Sequence, residues 1–171
     1  MNKYFFLIFI SIILSISALS QSQTRKVPSV DIKTIDGKTF NTDSISNSGK
    51  PIIISFWETF CKPCINEFEA ISEVYADWQK ETGVKLMAVS IDNSRTSSKV
   101  PSMVKTNGWE FEVYMDINQD FKRAMSISYC PYSFLIDGLG NIVWEKGAYA
   151  EGDEEKLYEL VKKVAKGEKI K

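Results

Sequence analysis

The chain has no histidine, and only three of its 171 residues are cysteine. The first absence removes the side chain that most often serves as general base, proton shuttle or nitrogen ligand near neutral pH. A four-ligand zinc centre then requires all three thiolates and a carboxylate, and no metal is expected. Haem attachment needs a histidine directly after a CxxC pair, and Ile65 stands there instead. A basic excess is missing too: the formal net charge is −1, and without Lys3 of the leader 20 basic residues face 22 acidic ones. No basic stripe is left for nucleic acid. Repeats and low-complexity segments are absent. At 44% hydrophobic and 25% charged, the chain is an ordinary single domain that buries a core without disulfide staples, which leaves its cysteines free for chemistry.

Two of those cysteines form Cys61-Lys62-Pro63-Cys64. Two thiols at this spacing can close a disulfide with each other, and their surroundings give the pair a structural place. Pro51 to Trp57 is β-branched and aromatic, as a buried strand is. Beyond the pair, Ile65, Phe68, Ile71, Val74, Tyr75 and Trp78 recur at three- and four-residue steps, one apolar stripe on a helix. The cysteines therefore fall at a strand-to-helix junction, where unpaired backbone N–H groups and the helix dipole favour a thiolate over a thiol. Pro63 suits the first turn, which does not need its N–H. A purely structural bridge is the competing reading, although so short a loop does little to constrain the unfolded chain.

The N-terminus reads as a leader. Met1-Asn2-Lys3 precedes an almost wholly apolar run from Tyr4 to Ile16, and Ala18 and Ser20 supply the small residues of a cleavage site after Ser20. The run falls short of the ~20 residues that span a bilayer, which favours cleavage over anchoring. Residues 1–20 are thus expected as a signal peptide, 21–27 as a linker and 28–171 as the domain. The protein is then exported to the periplasm or cell envelope, where a paired thiol tends to be oxidised and a working reductant needs a partner to reduce it.

Within the domain, Val30 to Thr34 and Lys38 to Asn41 flank Asp36-Gly37, a hairpin signal. Val84 to Ile91 and Glu112 to Met115 read as strands. Val100 to Asn107 and Gln119 to Met125 read as helices. A second hairpin joins Ser133 to Ile136 with Ile142 to Lys146 through Asp137 to Asn141, and Asp153 to Ala165 is a charged terminal helix with Leu157, Leu160, Val161 and Val164 on its inner face. Alternating strands and helices closed by a hairpin predict an α/β fold with a mixed central sheet.

The ordered set Phe56-Trp57, Cys61-Lys62-Pro63-Cys64, Glu67, Val89 to Asp92, Pro131 to Asp137 and Gly147 resembles the TlpA/ResA-like branch of the thioredoxin superfamily. The resemblance covers the chain from about Val27 onward, with Asn93 to Asp116 similar to the helix-strand insertion of that branch. It implies a thioredoxin-like fold with an N-terminal β-hairpin, and an exported thiol-disulfide oxidoreductase. Such a protein takes electrons from a membrane-embedded thiol donor and reduces disulfides of envelope proteins, apocytochromes among them. No cofactor is implied beyond the redox-active Cys61–Cys64 disulfide. The resemblance assigns Cys61 as nucleophile, Cys64 as resolving thiol and Pro131 as a cis proline beside the substrate backbone.

Other positions keep two readings. Lys62 favours a Cys61 thiolate by proximity, or is a solvated lysine. Glu67 matches the acid of the branch, and Glu58 lies close in sequence, yet carboxylates are far more often solvated surface charges than proton carriers. Trp57 is core or pocket wall. Ser55 stands where cytoplasmic thioredoxins carry a buried aspartate, and Phe60 replaces the commoner tryptophan. Cys130 precedes the proline where the family more often has threonine, valine or isoleucine, and is either a small slot-filler or a third thiol able to exchange with Cys61. Two rival functions stand beside the reductase. A peroxiredoxin-like peroxidase needs a proline and a threonine upstream of one cysteine and an activating arginine, of which Thr59 alone is met. The other rival is a non-catalytic binding module.

Overall fold

The computed structural model describes residues 25–170. The expected signal peptide, 1–20, and positions 21–24 of the expected linker lie outside the described residues. Seven strands form one mixed sheet: β1 (Asp31–Thr34), β2 (Thr39–Asn41), β3 (Ile52–Trp57), β4 (Lys85–Ser90), β5 (Glu112–Met115), β6 (Tyr132–Ile136) and β7 (Ile142–Gly147). Their order across the sheet is β2-β1-β5-β4-β3-β6-β7. β3, β4 and β5 run parallel, while β6, β7 and the β1–β2 hairpin pair antiparallel. The helices are α1 (Lys62–Thr82), α2 (Val100–Asn107), α3 (Asp120–Ala124) and α4 (Asp153–Ala165). A thioredoxin-like fold with its helix-strand insertion, α2 and β5, is what the sequence led us to expect. Among the described residues no helix is long and apolar enough to cross a membrane.

Every residue of β3 is buried, because the strand is central and both its faces are covered. Ile53 and Trp57 face a core built with Phe68, Ile71, Tyr75 and Trp78 of α1, Val100 of α2, and Leu157, Val161 and Val164 of α4. Ile52, Ile54 and Phe56 face a second core with Ile32, Phe121 of α3, Met125, Ile127 and Phe134. The alternation follows from the two-residue period of a strand. α1 ends at Gly83, whose φ of 70° is left-handed and lets its N–H bond to the Gln79 carbonyl.

The packed unit begins ahead of position 28. Arg25 and Lys26, placed in the linker by sequence, are tied to later elements. Lys26 bridges to Asn141, and Arg25 pairs with Glu145 at 2.9 Å while lying over the Phe134 ring.

Candidate active site

β3 ends at Trp57 and α1 starts at Lys62, so residues 58–61 must turn the chain at the end of the sheet. Two anchors fix that turn. The Cys61 N–H donates to the Glu58 carbonyl at 3.0 Å. The buried carboxylate of Asp92, just past β4, accepts from the Thr59 N–H at 2.9 Å, the Thr59 hydroxyl at 2.7 Å and the Ser90 hydroxyl at 2.9 Å. Thr59, weighed as part of a peroxidase pattern, thus spends its hydroxyl on holding the loop. Sequence reasoning counted Asp92 within the resembling motif Val89 to Asp92 and gave it no role of its own.

Cys61 is the N-cap of α1, and its sulfur accepts from the Cys64 N–H at 3.3 Å. Pro63 occupies the first turn, as expected. Cys61 is partly exposed, Cys64 is fully buried, and the two are joined by a disulfide with Cα atoms 5.3 Å apart. One sulfur of the bond is therefore open to an incoming thiol while the other is shielded. Lys62 is exposed and forms no salt bridge among the described residues. That favours its reading as a solvated lysine. Trp57 lies wholly in the core, edge-on to Phe68 and Trp109 at 5.7 and 5.2 Å.

Glu67 is not a solvated charge. It lies one helical turn beyond Cys64 and is buried beneath β3 and β6, accepting from Ser133 Oγ at 3.0 Å and Ser55 Oγ at 3.3 Å. The Ser133 and Ser55 hydroxyls are themselves 2.9 Å apart. Burial pushes the Glu67 carboxyl up to about 7, against the pull of the two serine hydrogen bonds. A small cavity, about 10 Å³, is lined by Glu67, Ser133, Lys146, Tyr149 and Asp153. At that size it has room for about one water. The Lys146 ammonium, hydrogen-bonded to Asp153, holds that carboxyl down at about 2.

Across the pair, the Cys130–Pro131 peptide bond is cis. A third sulfur stands at the site: the Sγ atoms of Cys61, Cys64 and Cys130 all lie within 4.8 Å of one another. Burial, then the charge of Glu58 3.7 Å away, pushes the Cys130 thiol up to about 12. Tyr129 and Phe60, each next to one of these cysteines in the chain, are 56% and 68% exposed and set apolar surface beside the disulfide. Gly147 permits this placement of Tyr129, since a Cβ there would stand 2.3 Å from the tyrosine oxygen.

The sequence profile of the AhpC/TSA family matches residues 24–145. The thiol-disulfide oxidoreductase ResA of Bacillus thuringiensis subsp. konkukian is 31% identical over 141 residues, 82% of this chain and 77% of that protein. The sporulation thiol-disulfide oxidoreductase A of Bacillus subtilis is 30% identical over 128 residues, 74% of this chain and 75% of that one. The solution structure of a thioredoxin-like protein from Porphyromonas gingivalis is 51% identical, covers 82% of this chain and 92% of its own, and superposes with a TM-score of 0.74.

Proposed function

The chain belongs to the AhpC/TSA family and is a ResA-like thiol-disulfide oxidoreductase, and from that premise we propose that it is an exported reductase of disulfides in envelope proteins. The observation that carries the reading is the asymmetry of the pair. Cys61 is partly exposed at the start of α1 and receives an N–H hydrogen bond, while Cys64 is buried behind it. Once reduced, the Cys61 thiolate attacks a substrate disulfide and expels one substrate thiolate. Cys64 then attacks Cys61 of the mixed disulfide, expelling the second substrate thiolate and closing the Cys61–Cys64 bond. Two electrons pass to the substrate, and both expelled thiolates take up protons. Glu67 accepts the Cys64 proton, a role supported by its place one turn away and by a carboxyl that titrates near neutrality. The backbone before Pro131 pairs with an extended substrate strand, and a membrane-embedded thiol donor, working outside the cytosol, restores the dithiol. Apocytochromes are among the substrates this reading admits.

The test is insulin reduction with a chemical thiol as donor. Cys61→Ser abolishes turnover, and Cys64→Ser accumulates mixed disulfides because attack survives and resolution does not. Turnover by Cys61→Ser equal to the parent's would overturn the assignment. A reduction potential below about −300 mV would identify a structural bridge instead, whereas a reductase is expected near thioredoxin's ≈ −270 mV.

A further inference from the structure

We propose that the reduced site also binds one zinc ion, held by the thiolates of Cys61, Cys64 and Cys130 with the Glu58 carboxylate as fourth ligand. The sequence could only count these ligands; the fold gathers the three thiols and sets Glu58 beside one of them. Cys61 and Cys64 come from the start of α1 and Cys130 from the loop before β6, yet the three sulfurs lie within 4.8 Å of one another. Glu58 Oε2, on the turn that leads into α1, is 3.7 Å from the Cys130 sulfur.

Tetrahedral zinc thiolates have Zn–S bonds of about 2.3 Å, which sets their sulfurs about 3.8 Å apart. With the Cys61–Cys64 bond opened, the three sulfurs reach that spacing by shifts of about 1 Å or less, given that ideal geometry. The donor set suits the ion, since zinc takes thiolate and carboxylate ligands together, and a chain without histidine offers no imidazole to compete. The backbone is already arranged for it. The Cys64 N–H points at the Cys61 sulfur at 3.3 Å, and such N–H contacts orient ligating thiolates. Three thiolates packed this closely, with the Glu58 carboxylate 3.7 Å from one of them, repel one another, and a dication relieves the repulsion.

The steps balance. A phosphine gives two electrons to the Cys61–Cys64 disulfide and leaves as its oxide, while water supplies the oxide's oxygen and the two protons of the thiols. Zinc then displaces the thiol protons to solvent as three Zn–S bonds and one Zn–O bond form, with no further electron transfer. Zinc binding and disulfide formation exclude each other, so the ion holds the pair reduced and blocks its attack on substrate.

The experiment uses the protein reduced with a phosphine, desalted without oxygen and titrated with zinc(II) against a chromophoric chelator. Cobalt(II) serves as a spectroscopic stand-in. One zinc per reduced chain is expected, with thiolate-to-cobalt charge-transfer bands and no uptake by the disulfide form. Cys130→Ser should weaken zinc binding at least about 100-fold, and Glu58→Gln about 10-fold or more. Equal affinity in the reduced parent and Cys130→Ser, or equal uptake by the disulfide form, overturns the proposal. Because Cys130 packs against both cores, its replacement could disturb folding, so alkylation of the zinc-loaded parent is the second measurement. Protection of all three thiols supports the site, and alkylation of all three at the metal-free rate refutes it. Neither readout depends on insulin reduction, so loss of the reductase reading would leave this one standing.

Discussion

Replacing Glu67 with glutamine should flatten the dependence of stability on pH between 5 and 8. The carboxyl titrates at 4.5 in an ordinary setting and is pushed to about 7 in the fold, chiefly by burial. The folded protein therefore binds a proton across a range in which the unfolded chain has released it, and stability falls as pH rises through that range. The contribution is fully present below pH 4.5 and lost above about 7. Each pH step across the gap is worth about 1.36 kcal/mol, which gives about 3 kcal/mol in all, most of it lost between pH 5 and pH 8. Glutamine is close in shape and can still bond to Ser55 and Ser133, but it carries no titrating group. The assay is urea unfolding of the disulfide form, in which Cys61 and Cys64 cannot titrate and Cys130, at about 12, stays neutral. For an m-value of about 2 kcal/mol/M, the parent's midpoint should drop by about 1 M more than the variant's on going from pH 5 to pH 8. Parallel midpoints would mean that Glu67 ionises in the fold as readily as in water, and the account of its burial would be wrong.

Two further outcomes are expected. In a Cys64→Ser background, mild oxidation should produce a Cys61 to Cys130 peptide on digestion, at a rate rising about tenfold per pH step above neutrality because the thiolate of Cys130 is scarce; free, alkylatable Cys130 after complete oxidation of Cys61 would leave it a slot-filler. Export should yield a mature chain beginning near Gln21 in envelope extracts by mass spectrometry, and an intact Met1 chain in the membrane fraction would argue for an anchor instead.

The fold was legible because local and global signals agree. The β-branched run before Cys61 became the central strand, and the apolar stripe after Cys64 became the buried face of α1. Strand and helix limits fell within a residue or two of expectation, with α2 (Val100–Asn107), β5 (Glu112–Met115) and α4 (Asp153–Ala165) where the periodicity placed them. The site was legible only in part. A CxxC at a helix start announces itself by spacing, whereas Glu67 looks like any helix glutamate until β6 delivers Ser133, 66 positions on, to its carboxylate. Ser55 carried the clue in negative form. It leaves the strand position without an acid, and an acid from the helix comes to it instead, with Ser55 as its hydrogen-bond donor. The Asp92 anchor was hidden for the same reason: its three donors include Thr59, which is 33 residues away in sequence.

Cys130 raises a problem that the geometry also answers. A third sulfur within 4.8 Å of a redox pair should intercept the disulfide and trap the site in the wrong bridge. Attack requires a thiolate, and with the thiol pushed up to about 12 the ionised share at pH 7 is only about one in 10⁵. Burial supplies most of that restraint and the neighbouring Glu58 charge the rest. The pair can therefore cycle beside a thiol that stays protonated. A zinc ion reverses the balance, because it replaces the proton on sulfur and turns the same Glu58 charge from a bar to ionisation into a ligand. Glu58 thus adds to the restraint on Cys130 during turnover and shares the ion with it when the metal is bound.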